Sequence, residues 1–184
     1  MGGWAAASND VADLKGGTWT LDRKHSNVSA KVLHMGVSLY VVRFNAMEAT
    51  LIYDPAHPEA THVEASVDTA SFDVNADYGA RFAEEFLAAR ANPKMTFVST
   101  EVRRGEGGHG TMTGNLTLRG VTKPVVFDVT FNGTGRSMAP PFATVAGFSA
   151  TAHIKRSDFG STAWNNGVVA DDVAISIEAE FDRK

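Results

Sequence analysis

Along most of this chain apolar and polar residues alternate with a period of two, the spacing of a β-strand that buries one face. The last run is the cleanest: Val173, Ile175, Ile177, Ala179 and Phe181 oppose Ala174, Ser176, Glu178, Glu180 and Asp182. Residues 26–35 put Val28, Ala30, Val32 and His34 on one face, and residues 61–72 set Val63, Ala65 and Val67 against His62, Glu64, Ser66 and Asp68. Residues 111–119 set Met112, Leu116 and Leu118 against threonines, Asn115 and Arg119. Residues 142–154 bring Phe142, Ala146, Phe148, Ala150, Ala152 and Ile154 together. The run 94–102 lacks one apolar face, with Met95 and Phe97 on one side and Val98 and Val102 on the other.

Turn sequences separate these runs: YDPAHPEA, RRGEGGHG, LRGVTKP and NGTGRSMAPP. Glycine supplies positive φ there and proline cannot continue a central strand. Linkers this short imply antiparallel neighbours, because a parallel crossover needs about a dozen residues or more. One stretch differs. NADYGARFAEEFLAARANP repeats Phe82, Phe86, Leu87 and Arg90 at helical spacing, and predicts a helix of about three turns. Asn75 or Asp77 is placed to cap its start, and Pro93 to end it.

The elements add up to a mainly β domain, about eight antiparallel strands with one short amphipathic helix. Residues 1–16 are expected to be a flexible lead and 17–184 the domain. Strands with one polar face hide the other against a second sheet or inside a closed barrel, and an eight-stranded barrel either fills itself or holds one slender ligand. The hairpin GNLTLRGVTKPVVFDVTF poses that choice: Leu116, Leu118, Val125, Phe127, Val129 and Phe131 share a side. The inward sets mix phenylalanines with Ala30, Ala65, Ala146, Ala150 and Ala152, which fits large-on-small packing as well as a cavity.

Composition narrows the function. With 17 basic against 21 acidic residues the formal charge is −4, which offers no footprint for nucleic acid. No stretch approaches the roughly 20 apolar residues of a membrane-spanning helix, so the chain is expected to be soluble rather than membrane-spanning. The absence of cysteine excludes disulfides and removes the usual clue to compartment. The N-terminus shows neither a basic stretch nor a long apolar one, and no intact signal peptide is expected there.

The six histidines show no metal-ligand spacing, and no metal site is expected. No nucleophile elbow occurs, and the DFG of KRSDFG lacks every other kinase element. No enzyme is read from these residues. His34 stands out by sharing a face with Val28, Ala30 and Val32; it is either a hydrogen-bonded core histidine or a polar group lining a cavity.

Taken in order, several segments resemble the YceI-like family. WTLDRKHSNVSAKVLHMGV matches its opening at Trp19, Leu21, Asp22, His25, Ser26, Val28, Val32, His34 and Gly36. GNLTLRGVTKPVVFDVTFNG and AGFSATAHIKRSDFG match its later strands, and DDVAISIEAEF its last, so that the likeness runs from about Gly17 to Phe181. The chain departs from the family pattern near Val42, Ala49 and Ala80. The resemblance implies a lipocalin-like antiparallel barrel that carries a long isoprenoid chain, a polyprenyl or ubiquinone-like tail or a related amphiphile. It implies no required cofactor and a periplasmic or secreted bacterial location; a homodimer is one assembly open to it.

On that reading the ligand would touch Val28, Ala30, Val32, His34, Val67, Phe86, Phe97, Leu116, Leu118, Val125, Phe127, Val129, Phe148 and Ile154, with Arg156 and Asp158 near the mouth. Arg81 and Asn165 are further polar candidates there. The competing readings are a structural or interaction β-domain with a side-chain-filled core, and an enzyme that processes isoprenoids or quinones.

Overall fold

In the computed structural model, which describes residues 6–184, eight antiparallel strands close a barrel and one helix stands at its end. The ring runs through β1 (Gly17–Leu21), β4 (Met47–Tyr53), β5 (His62–Asp68), β7 (Lys94–Arg104), β8 (His109–Leu118), β9 (Val121–Arg136), β10 (Thr144–Lys155) and β11 (Val169–Arg183), and closes where Leu21 pairs with Phe181. Closure leaves this ring without edge strands. From the other half of β11 hang β2 (Asn27–His34), β3 (Ser38–Phe44) and the short β6 (Phe72–Asp73), which extend one wall. The helix α1 (Gly79–Leu87) packs beside β6 at that same end.

The chain departs from its expected pattern in instructive places. β7 pairs Ser99 with Gly114 and Glu101 with Thr113, so Thr100 is an extra, bulged residue. A bulge flips the phase of alternation. Met95 and Phe97 point inward before it and Val102 after it, while Val98 stays outside. That explains a run with no single apolar face. Phe142 leaves its expected face altogether, because it precedes β10 in an exposed loop with a left-handed backbone.

The helix is shorter than its sequence pattern. Its N-cap is Tyr78, with no side-chain capping bond, rather than Asn75 or Asp77. It ends at Leu87, not near Pro93, because Ala88 turns left-handed with φ 49°. Residues 88–92 form a tight reversal in which Asn92 bonds back to the Ala88 carbonyl. Gly79 opens the helix under a steric demand: a Cβ there would come within 2.7 Å of the Phe72 carbonyl oxygen.

Residues 8–14, expected to belong to a flexible lead, pack instead. Ser8 exchanges two backbone bonds of 2.8 Å with Thr134 of β9, and Leu14 is buried. The hairpin turn between β8 and β9 is Arg119–Gly120, both with positive φ, which matches the twist of tight β-hairpins. Pro124 lies inside β9 opposite Asn115, where β9 runs past the reach of β10, whose pairing begins at Asp128.

Candidate functional site

The barrel interior is open. A cavity of about 710 Å³ runs through it, within the range of roughly 300–1,000 Å³ of ligand pockets. On β8 alone its lining extends from His109 to Leu118. That is about 30 Å of strand, or roughly 23 Å along the axis of a barrel whose strands tilt by about 40°. The space is therefore long and narrow.

Its walls come from the inward faces of every barrel strand. β2 supplies Val28, Ala30, Val32 and His34; β5 supplies Val67, and β7 Phe97. β8 and β9 supply Leu116, Leu118, Phe127 and Val129, β10 supplies Phe148 and Ile154, and α1 supplies Phe86. Those positions, all marked by the sequence, converge on one space. Val125 does not line it; it is buried opposite Gly114 and off the wall. Asp158 does not line it either, because it sits in an exposed 3-10 turn after β10. Asn165 is likewise exposed and away from the wall.

The small residues divide into two sets. Ala30, Ala49, Ala65 and Ala150 face the cavity and leave it room. Ala146 and Ala152 are buried but off the wall, packed as core. Aromatic rings shape the interior: Phe97 meets Phe127 edge-on at 5.2 Å between centroids, and Phe148 contacts both Phe131 at 5.5 Å and Phe181 at 6.1 Å. Such edge and tilted contacts fix ring orientation beyond what burial alone does. Gly114 makes the first pair fit, since a Cβ there would lie 2.3 Å from the Phe97 ring.

Exposed lining residues mark the two ends. At the helix end are Tyr78, Arg81 and Trp164, with half-buried His34 and Tyr40 beside them, their rings 6.2 Å apart. At the far end Arg103, Arg104 and His109 reach the rim, where Val11 and Leu14 of the N-terminal segment also line the wall. The His34 position accords with a cavity-lining residue rather than a packed core histidine.

Polar groups at the helix end are tied down. Trp164 donates from Nε1 to Glu85 at 2.8 Å, and Arg81 donates from Nε to the same carboxylate at 2.7 Å. The Arg81 bond and then the Trp164 bond hold the Glu85 carboxyl below its ordinary value. Arg156 is buried, and its guanidinium donates to three carbonyls: Ala170 at 2.9 Å, Ser161 at 2.9 Å and Val169 at 2.8 Å. Burial pulls its pKa down from the ordinary arginine value. Its charge also lies 5.7 Å from the centre of the Phe86 ring. Arg156 thus fastens the loop before β11 while showing part of itself to the cavity.

The opening motif with Asp22, His25 and Ser26 lies away from the cavity wall. Asp22 accepts from the Lys24 backbone at 2.8 Å and contacts His25 Nδ1 at 2.7 Å. Ser26 Oγ accepts from the Glu180 backbone N–H at 2.9 Å. The motif pins the β1–β2 corner to β11. Asp22, His25 and Glu180 could together offer three ligand atoms to a cation, all within 4.8 Å of one another.

Sequence reasoning missed Tyr40, Tyr78 and Trp164. Tyr40 escaped because β3 is apolar on both faces, so no alternation marks it. Trp164 lies in an irregular loop with a left-handed backbone, where no periodicity exists.

A family model described as the YceI-like domain matches residues 19–181. This chain belongs to the YceI-like family. Among its relatives, a UPF0312 protein of Pectobacterium atrosepticum is 37% identical over 161 residues, covering 85% of this chain and 81% of that protein. The barrel superposes on the crystal structure of Burkholderia cenocepacia BcnA with a TM-score of 0.78 at 27% identity, covering 87% and 98% of the two chains. A polyisoprenoid-binding domain from Saccharophagus degradans gives a TM-score of 0.67 over 90% and 98% of the chains; at 13% identity it shares the fold alone. In this YceI-like chain Val42 and Ala49 are cavity wall.

Proposed function

We propose that this protein binds one long apolar lipid of isoprenoid type, a polyprenyl or ubiquinone-like chain or a related amphiphile, inside the barrel, and carries it without catalysing its conversion. The observation that carries the proposal is the long, aromatic-lined cavity of about 710 Å³ inside a closed barrel. The fold shared with a polyisoprenoid-binding domain supports it. The bacterial periplasm or exterior is the proposed location, supported by the family resemblance.

The energetics suit such a ligand. Each buried CH₂ contributes about 0.8 kcal/mol, although a ligand of many atoms retains only about 0.3 kcal/mol per atom after binding costs. Thirty such atoms would bind with roughly 9 kcal/mol, a sub-micromolar affinity. Contacts of this kind are non-directional and select length and width. Recognition of a head group falls to the polar rim at the helix end, His34, Tyr40 and Arg81.

The competing structural reading requires a filled interior, which the open volume disfavours. Organic extraction of the purified protein followed by mass spectrometry tests the proposal, together with loading of the stripped protein with a polyprenyl or quinone probe. Recovery of one apolar lipid, or saturable uptake of the probe, is the expected outcome. An extract free of lipid and a protein that takes up neither probe would refute it.

A further inference from the structure

The tip of the β2–β3 hairpin is apolar on both faces. One face, with Val32, His34, Tyr40 and Val42, lines the cavity. The other carries Leu33 and Leu39, which pair directly, and beyond them the turn residues Met35 and Val37. These are open to solvent: Val37 is 80% exposed, Leu39 63% and Met35 61%. Single exposed apolar residues are ordinary, but a contiguous group of this size marks an interaction surface.

Three features identify what the surface meets. First, it is continuous with the helix end of the cavity. Met35 N–H bonds to the Val168 carbonyl at 2.8 Å, and Val168 and Trp164 of the same loop line the cavity. The apolar surface thus passes from the interior, over a rim that includes half-exposed Trp164 and Tyr78, to the outside. Tryptophan and tyrosine at such a rim suit the boundary between hydrocarbon and water.

Second, the hairpin's own charge is basic. Although the chain is acidic overall at −4, the hairpin from Asn27 to Val42 carries Lys31 and no Asp or Glu. On the neighbouring strand Asp172 stands in register with Lys155, and Asp171 is held by hydrogen bonds from Ser157. Third, the depth fits. Leu33 and Leu39 lie within about 10 Å of the tip by strand rise, and Lys31 about 13 Å from Met35. An interfacial element buries its apolar part by about 5–10 Å, so Lys31 would stand at the level of lipid head groups.

We infer that the β2–β3 hairpin docks the barrel on an anionic lipid bilayer, placing Met35, Val37 and Leu39 among the lipids and the helix-end mouth against the surface. The free edge of β3 from Ser38 to Val42, which has no second strand beside it among the described residues, confines the hairpin to the hydrated interface. This rests on the reading of the protein as an isoprenoid carrier, since such a chain must pass between a bilayer and the cavity.

The experiment is co-sedimentation of the whole protein with vesicles of phosphatidylcholine alone and with about a third phosphatidylglycerol, neither containing isoprenoid. Binding to the anionic vesicles, weakened by salt, is expected. The double variant Val37→Asp/Leu39→Asp should bind at least roughly tenfold more weakly, since both side chains would exchange apolar burial for charge. The single Val37→Asp, at the most exposed position, serves where the double variant folds poorly. Neither residue lines the cavity. Both variants should therefore still take up a quinone probe from detergent solution. A wild-type protein that takes up the probe but ignores both vesicles overturns the docking inference and leaves the carrier reading standing. Vesicle binding without any probe uptake would refute the carrier reading alone. Absence of vesicle binding together with a dimer that the variants dissociate, seen by sedimentation velocity, would overturn it in favour of a second copy on this face.

Discussion

Arg156 combines burial with charge and makes three hydrogen bonds to carbonyl oxygens. Removing the donor leaves Ala170, Ser161 and Val169 carbonyls short of partners, and Arg156→Ala should destabilise the fold by about 3 kcal/mol. For a domain of this size that corresponds to a fall of roughly 10 °C in Tm, measurable by circular dichroism. A fall of only 1–2 °C would show the three bonds to be dispensable. His25 carries a subtler signal. The hydrogen bond and charge of Asp22 raise its pKa, and His25 in turn lowers that of Asp22. The histidine's contribution to stability is present below its unfolded value of about 6.5 and lost as pH rises through its raised folded value; that of Asp22 is present above about 3.9 and lost as pH falls through its lowered value. The pair is too exposed to count for much. In NMR titration His25 should have a midpoint above about 6.5 that returns toward it in Asp22→Asn; an unshifted wild-type midpoint would contradict the pairing. At this scale the sequence was only partly legible. The motif RSDF placed Arg156 and Asp158 together at the mouth, but a 3-10 turn sends one inward and the other into water.

Gly114 shows how an element carries the site. The Phe97 ring from β7 lies across the space a side chain on β8 would fill, and from there reaches Phe127. Gly114→Ala would drive a methyl into that ring and to within 2.6 Å of the Val98 carbonyl oxygen. It should cost about 2–3 kcal/mol, read by chemical denaturation, and alter the aromatic near-ultraviolet signal. Unchanged stability would mean that the ring has another resting place. The strands whose outer faces are polar, β2, β5, β8 and β11 above all, were legible because water and cavity impose opposite demands on alternate residues. β3 was not, because Leu39 and Val41 face solvent as Tyr40 and Val42 face the cavity. β7 was half legible, since the bulge at Thr100 changes its phase. The helix was recognised by Phe82 and Phe86, but its ends are set by Gly79 beneath Phe72 and by the left-handed Ala88, neither of which obeys the ordinary capping preferences.

Whether eight amphipathic strands fill their interior or leave it open is decided by the whole molecule, and here local patterns fall short. Alanines on inward faces read alike in both cases. The closed ring makes Ala30, Ala49, Ala65 and Ala150 part of one shared space, while Ala146 and Ala152 pack elsewhere. Consequently Ala30→Trp should be tolerated, with an indole occupying open volume, whereas in a filled core such an insertion would cost about 1–3 kcal/mol. The same change should obstruct the ligand's path. Native mass spectrometry of the wild-type protein and of Ala30→Trp, each stripped and then reloaded with a polyprenyl or quinone lipid, tests the central claim most directly. The account predicts that the wild type will exceed the 19.6 kDa chain by the mass of one lipid while the folded variant stays bare. A wild type that remains bare after reloading, or a folded variant that loads equally well, would contradict it.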